Sequence, residues 1–209
     1  MLRNIIDFEK VFDSVHRETL WKLLKNYLIP DKLVNLIKAM YRNCKCAVID
    51  GAETSQWFEV KSGIKQGCVM SGFLFLVAMD WVMRRSIEGH NNGIRWKFTS
   101  TLEDIDFADD LALLVSKKKH IQEKVECLSQ CGKAIGMKIN VKKTKVMRYN
   151  AKNQTPVTID GKDVEDVDSF VYWGSIVNKP GGAENDISAR IGKARASFNI
   201  FDKVWKSSQ

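Results

Sequence analysis

The sequence predicts an α+β domain: an antiparallel sheet with helices packed on one face. Three observations lead there. Short apolar runs bounded by turn residues, such as Ile5 to Phe8 and Leu111 to Val115, read as buried strands. Between them lie longer stretches with the 3.6-residue periodicity of amphipathic helices. The order of these segments is irregular, not the strict strand–helix alternation of a parallel α/β fold. At 209 residues and 44% hydrophobic, the chain has enough apolar surface for one real core. Charged residues are 28% and Pro only 3, and no low-complexity stretch or internal repeat is visible, which excludes a globally disordered chain.

Taken in order, Ile5 to Phe8 is the first strand, and it comes so early that a fragment lacking upstream partners is expected. Asp13 or Ser14 is placed to cap a helix carrying Leu20, Trp21, Leu23, Leu24 and Leu28. Pro30 stops that helix, and Asp31 is placed to cap the next, through Leu33, Leu36, Ile37, Met40 and Tyr41. Cys44 to Ile49 and Trp57 to Val60 read as two strands around a turn near Gly51. Ser62 to Gly67 is a tight loop opening an apolar helix from about Ser71 to Arg85. Leu102 to Val115 is a hairpin with two adjacent carboxylates, Asp109 and Asp110, at its tip. A helix from about His120 to Ile135 ends at Gly136, as a left-handed C-cap requires. Short strands follow near Lys145 to Arg148, Val157 to Ile159 and Phe170 to Val177. After Gly181-Gly182, an amphipathic helix spans about Ala183 to Trp205.

The net charge is +8, and its placement says more than its size. Lys117-Lys118-Lys119, Lys138, Lys142, Lys143, Lys145, Arg148 and Lys152 crowd the region after the paired aspartates, and Arg190, Lys193, Arg195, Lys203 and Lys206 line the last helix. Such clusters suit a polyanionic partner. The 5 Cys and the 3 His (His16, His90, His120) do not show zinc spacings. With no signal peptide and no membrane-length apolar run, an intracellular location, nuclear or cytoplasmic, is expected.

Two neighbouring acids between apolar strands resist joint ionisation, because each raises the other's pKa. A hard divalent cation relieves that cost and keeps open positions for phosphates. Asp7 leaves its strand with no helix to cap. If that strand lies beside the 102–115 hairpin, Asp7 and Asp109 converge at one sheet edge. Carboxylates so placed bridge two Mg²⁺ ions about 3.5–4 Å apart, the arrangement of in-line phosphoryl displacement.

Ile6-Asp-Phe-Glu-Lys-Val-Phe-Asp-Ser-Val15 resembles motif A of reverse transcriptases from non-LTR (LINE-type) retrotransposons. Gly63-Ile-Lys-Gln-Gly-Cys-Val-Met-Ser71 is similar to their motif B, and Phe107-Ala-Asp-Asp110 to their motif C. Gly136-Met-Lys-Ile-Asn-Val-Lys-Lys-Thr-Lys145 resembles motif D, Tyr172-Trp-Gly-Ser175 motif E, and Ile187 to Ala196 the start of the thumb. The likeness spans nearly the whole chain in the family's order. It implies a polymerase palm over residues 1–178, the beginning of a thumb helix over 179–209, and fingers largely missing.

The same resemblance implies an RNA-directed DNA polymerase that joins dNTPs to a DNA primer on an RNA template, using two Mg²⁺ ions or Mn²⁺ in their place. Asp7, Asp109 and Asp110 become the metal-binding acids. Phe12 takes the place of the steric gate against the sugar 2′ position, or is simply a core aromatic. Gly63, Gln66 and Gly67 would border template and incoming nucleotide, and Trp173 and Gly174 the primer grip. Lys143 or Lys145 would protonate the leaving pyrophosphate, with a solvated basic loop as the alternative. Val11 stands where the family usually has Ala, and Gly72 where it has Pro; neither removes a ligand. Fingers and endonuclease segments are expected elsewhere in a full-length element protein. This stretch alone is therefore expected to be a weak polymerase, or a catalytically dead nucleic-acid-binding remnant.

Overall fold

The computed structural model describes residues 2–89, 92–97, 100–149 and 155–206; His90 and Lys152 lie outside them. The chain opens with β1 (Leu2–Ile6), α1 (Val11–Ser14), α2 (Arg17–Asn26) and α3 (Asp31–Met40). Four short strands follow: β2 (Lys45–Cys46), β3 (Ile49–Asp50), β4 (Glu53–Thr54) and β5 (Phe58–Glu59). Next come α4 (Val69–Ile87), β6 (Ile94–Arg95), β7 (Thr101–Leu102), β8 (Asp104–Phe107) and β9 (Asp110–Val115). After α5 (Lys118–Ala134) lie β10 (Lys145–Arg148), β11 (Thr158–Ile159), β12 (Lys162–Asp163) and β13 (Glu165–Asp166). The hairpin β14 (Ser169–Tyr172) and β15 (Ser175–Asn178) precedes α6 (Glu184–Lys206).

The main sheet has the order β13-β10-β1-β9-β8, so the first strand of the chain lies at its centre. Its ladders are antiparallel except at one edge, where β13 pairs parallel to β10, a departure from the purely antiparallel sheet expected. Alternation along β1 turns Asn4 and Ile6 into the core, where Leu111, Leu113 and Val115 of β9 join them. Helices α5 and α4 cover that face: Ile121, Val125 and Leu128 recur on one side of α5 and are fully buried. The helix ends at Gly136 (φ +86°), whose missing Cβ leaves room for the Ser14 carbonyl and the His16 ring.

Three expectations need correction. Neither Asp13 nor Asp31 caps a helix: His16 and Pro30 hold those places, without side-chain cap bonds. Val15 is extended (φ −57°, ψ 128°), which detaches a one-turn α1 containing Asp13 from α2. The segment around Gly51 forms two separate ladders, β2 with β5 and β3 with β4, because the Ser55 hydroxyl takes the Val48 amide at 2.9 Å. Phe170 to Val177 is a hairpin, not one strand. Trp173 (φ +46°) and Gly174 (φ +74°) make the two-residue turn, with the positive φ values that a type I′ connection demands.

Asn4 is 0% exposed, and neither atom of its amide has a hydrogen-bond partner. A buried, unpaired amide costs about 1–3 kcal/mol. Asn4→Leu, of similar volume, is therefore expected to raise the urea midpoint of unfolding; a lower midpoint would show that the amide is satisfied. Among the described residues, no helix is long and apolar enough to cross a membrane.

Candidate active site

The turn between β8 and β9 is Ala108-Asp109, and Phe107 pairs with Asp110 across it. Ala108 takes φ +56°, the positive value that primed hairpin turns require at their first central position. Asp109 thus projects from the turn while Asp110 begins β9. One step beyond the Ile6↔Leu111 pair of β1 and β9, Asp7 lies opposite Asp110 on the same face of the sheet. Side chains so placed have Cβ atoms about 4.5–5.5 Å apart.

Asp7 is held by the segment after α5. The Asn140 amide donates to its carbonyl at 2.7 Å, and its own amide donates to the buried Thr144 hydroxyl at 3.3 Å. Its Oδ2 is buried and has no hydrogen-bond partner. The nearest cation, Lys143 Nζ, is 3.8 Å away, too far for a hydrogen bond. Burial first, then the charges of Asp109 and Asp7, push the Asp110 carboxyl above the ordinary carboxylate range. The tight turn that brings Lys143 here starts at Asn140, whose carbonyl accepts from the amides of Lys143 (3.2 Å) and Thr144 (2.9 Å). Lys145 is different: its ammonium pairs with Glu165 on β13. The two lysines that sequence left equivalent are thereby separated.

The loop before α4 closes on α1. Gly63 (φ +74°) approaches so closely that a Cβ would lie 2.6 Å from both the Phe12 and Asp13 carbonyl oxygens. The Ile64 amide donates to the Phe12 carbonyl at 2.6 Å. Arg17 fastens the loop with three bonds, from Nε to the Gly63 carbonyl (2.7 Å), Nη1 to Val60 (2.7 Å) and Nη2 to Ser62 (3.0 Å). Gln66 donates to Asp13 Oδ1 at 3.4 Å. The half-buried Phe12 ring stacks on Phe75 of α4, centroids 4.9 Å apart. Gly67 (φ +77°) has open space around it.

On the far side, Trp173 tilts against Phe107 with centroids 4.7 Å apart, and the Tyr172 hydroxyl donates to the Ile105 carbonyl at 3.1 Å. Trp173 is exposed, and the turn it shares with Gly174 leans directly on the aspartate hairpin. At the hairpin's open end, Lys124 of α5 is 0% exposed and pairs with the Glu103 carboxylate. It also donates to the main-chain carbonyls of Glu103 and Leu114, both at 3.2 Å. Lys124→Met takes the ammonium from the half-buried Glu103 carboxylate, which keeps the Gly93 amide at 2.9 Å, and is expected to cost about 1.5–3 kcal/mol of stability in urea unfolding. Sequence reading passed over Arg17, Lys124 and Thr144. Thr144 alone carried a signal, lying between the two lysines under consideration.

Two facing carboxylates, one with a buried oxygen lacking any donor, suit a hard divalent cation. Among the described residues, no three His, Cys, Asp or Glu side chains gather closely enough to form a protein-only metal cage. The donor set therefore fits an ion whose other positions go to phosphate and water, as Mg²⁺ prefers.

A palm-type sheet whose central strand runs beside a hairpin with acids at its tip defines a nucleic-acid polymerase fold. The chain belongs to the reverse transcriptase (RNA-dependent DNA polymerase) family, whose model matches residues 4–177. Its relatives make it a non-LTR reverse transcriptase domain. It is 27% identical over 192 residues to the Pol polyprotein of the type-1 retrotransposable element R2 of Nasonia vitripennis, covering 85% of this chain and 18% of that protein. The R2 polyprotein of Popillia japonica is 22% identical, over 86% of this chain and 31% of its own length. In fold it is similar to apo telomerase from Candida tropicalis truncated of its C-terminal domain, with TM-score 0.60 at 13% identity, covering 85% of this chain and 34% of that one. Members of the family generally use divalent metal ions.

Proposed function

We propose that this chain is the palm, residues 1–178, and the start of the thumb, 179–209, of an RNA-directed DNA polymerase that extends a DNA primer along an RNA template. The observation that carries this reading is the cross-strand placement of Asp7 against Asp110, with a buried Asp7 oxygen that no donor satisfies. Asp7 and Asp110, with Asp109 from the turn, would hold two Mg²⁺ ions or Mn²⁺. When bound, such ions lower the pKa of the attacking hydroxyl and neutralise charge on the departing pyrophosphate.

The chain's own residues do the rest. Lys143 Nζ, beside Asp7, gives a proton to the leaving phosphate oxygen, whereas Lys145 stays tied to Glu165. Phe12, braced by Phe75, crowds the 2′ position of the incoming sugar. The loop of Gly63, Gln66 and Gly67 borders the nascent base pair, and glycine lets its backbone come close. Trp173 and Gly174 meet the primer strand beside the aspartate hairpin.

The chain spans between 18% and 31% of the two R2 relatives, and the activity is proposed for what it contains. Extension of a DNA primer on RNA with Mg²⁺, compared with an Asp109→Ala, Asp110→Ala variant, tests the reading. Extension that disappears with the acids supports it; extension absent from both chains, or equal in both, overturns it for this chain. Since no third acid side chain gathers with Asp7 and Asp110 among the described residues, the second reading is a nucleic-acid-binding remnant, which the same assay separates.

A further inference from the structure

Asp7 is gripped by both ends of one turn, and half of that grip depends on a single hydroxyl. The β1–β10 ladder ends at the Ile5↔Lys145 pair. Beyond it the chain stops running alongside β1, because the Asn140 carbonyl draws the amides of Lys143 and Thr144 into a turn. Pairing resumes only at the Phe8↔Ile139 bridge. Between these points the turn itself holds Asp7. The Asp7 carbonyl accepts the Asn140 amide at 2.7 Å, and the Asp7 amide donates to the Thr144 hydroxyl at 3.3 Å. The first bond is main-chain to main-chain, so every residue at 140 except proline could make it. The second exists only because residue 144 carries a hydroxyl.

Thr144 is 0% exposed, and a hydroxyl so buried is ordinarily hydrogen-bonded. Its partner here is the main chain of a proposed metal ligand. Asp7 Oδ2 is buried and has no donor of its own, so its direction follows from the main chain that carries it. Lys143 belongs to the same turn, one residue before Thr144, with its Nζ 3.8 Å from Asp7 Oδ2. The Lys143 amide is fixed a second time, on Asn140 Oδ1 at 3.3 Å. Losing the Thr144 hydroxyl would therefore release the Asp7 amide and the far end of the turn together. Carboxylate and ammonium would lose their mutual setting without either being altered.

We infer that Thr144 is the positioning residue of the metal-binding acid, a role that rests on the polymerase reading of Asp7. Its hydroxyl holds the Asp7 main chain in the setting that presents the carboxylate to a divalent ion and keeps Lys143 beside it. Thr144 itself touches neither ion nor nucleotide in this account. Groups that orient a metal ligand from behind are commonly as necessary to binding as the ligand's own partners.

The experiment measures Mn²⁺ binding to the full chain by water-proton relaxation, with folding checked by circular dichroism. Thr144→Val, which has nearly the same volume and no hydroxyl, is expected to weaken Mn²⁺ binding about 10- to 100-fold. Thr144→Ser, which keeps the hydroxyl and loses the methyl, is expected to restore it. In single-turnover primer extension, Thr144→Val is expected to lower the rate at saturating dNTP by a similar factor and leave the dNTP KM unchanged. Mn²⁺ affinity equal in Thr144→Val and the parent overturns the inference. So does a Thr144→Ser chain no better than Thr144→Val, since shape and not the hydroxyl would then matter. Should Thr144→Val not fold, Thr144→Ala takes its place; failure of both to fold gives the hydroxyl a purely structural role and overturns the inference. The expected Mn²⁺ pattern with no primer extension upholds the inference and fails the polymerase reading. Extension that needs Asp109 and Asp110 but is indifferent to Thr144 fails the inference alone, and a parent chain that binds no Mn²⁺ fails both.

Discussion

Gly63→Ala is expected to reduce primer extension by about 10²-fold, the usual consequence of misplacing a site by about 1 Å. Two separate penalties meet at this position. The backbone is left-handed, which costs an L-residue about 1–2 kcal/mol. The added methyl carbon would also lie 2.6 Å from two main-chain oxygens, Phe12 O and Asp13 O, neither of which can swing aside as a side chain does. To make room, the loop must retreat from α1, breaking the Ile64 bond to Phe12 and the clasp of Arg17. Gly67→Ala is the control: it has φ +77° and open space, so only the first penalty applies. Single-turnover extension of both variants checks the difference. Equal losses would mean that conformational strain, not close approach, governs the loop.

The second large effect is expected at Asp110, and it has two opposite signs. Asp110→Asn removes a carboxylate proposed to bind metal and is expected to cut extension by about 10³-fold, equivalent to about 4 kcal/mol of lost charge stabilisation. Without metal, the same change is expected to stabilise the fold. Burial and the neighbouring charges of Asp109 and Asp7 raise this carboxyl's pKa in the folded chain. The folded state then holds more protons than the unfolded state once pH exceeds the ordinary aspartate value, about 3.9. Stability therefore falls as pH rises through that window, and the contribution is regained at lower pH. In EDTA, Asp110→Asn should lose this part of the pH dependence and melt higher than the parent at neutral pH. A lower melting temperature would contradict the like-charge account.

Much of the site was legible because its motifs carry their own physics. Two adjacent acids between apolar strands demand an explanation, and the hairpin around Asp109 and Asp110 formed as expected. The C-cap at Gly136 was readable for the same kind of reason, since few residues accept that backbone. What sequence could not supply was register. Carried one residue past its last pair, Ile6↔Leu111, the β1–β9 register brings Asp110, rather than Asp109, opposite Asp7, and one residue of slip would exchange their roles. Nor could it supply long-range bonds. Arg17 reaches across 46 positions to the Gly63 carbonyl, and nothing in its neighbours marks it among the many other basic residues. Lys124 sat in an amphipathic pattern as one more charge, yet its ammonium is buried against the base of the aspartate hairpin. Caps were misread because Asp13 has the right chemistry for a helix start, while the chain restarts only after Val15.

The most direct test is binding of Mn²⁺ to the intact chain, followed by the loss of the free-ion electron paramagnetic resonance signal. Binding in the parent that is lost in both Asp7→Asn and Asp110→Asn, each still folded by circular dichroism, is the predicted result. Binding that survives either substitution undiminished would mean that these strands do not hold the ion between them.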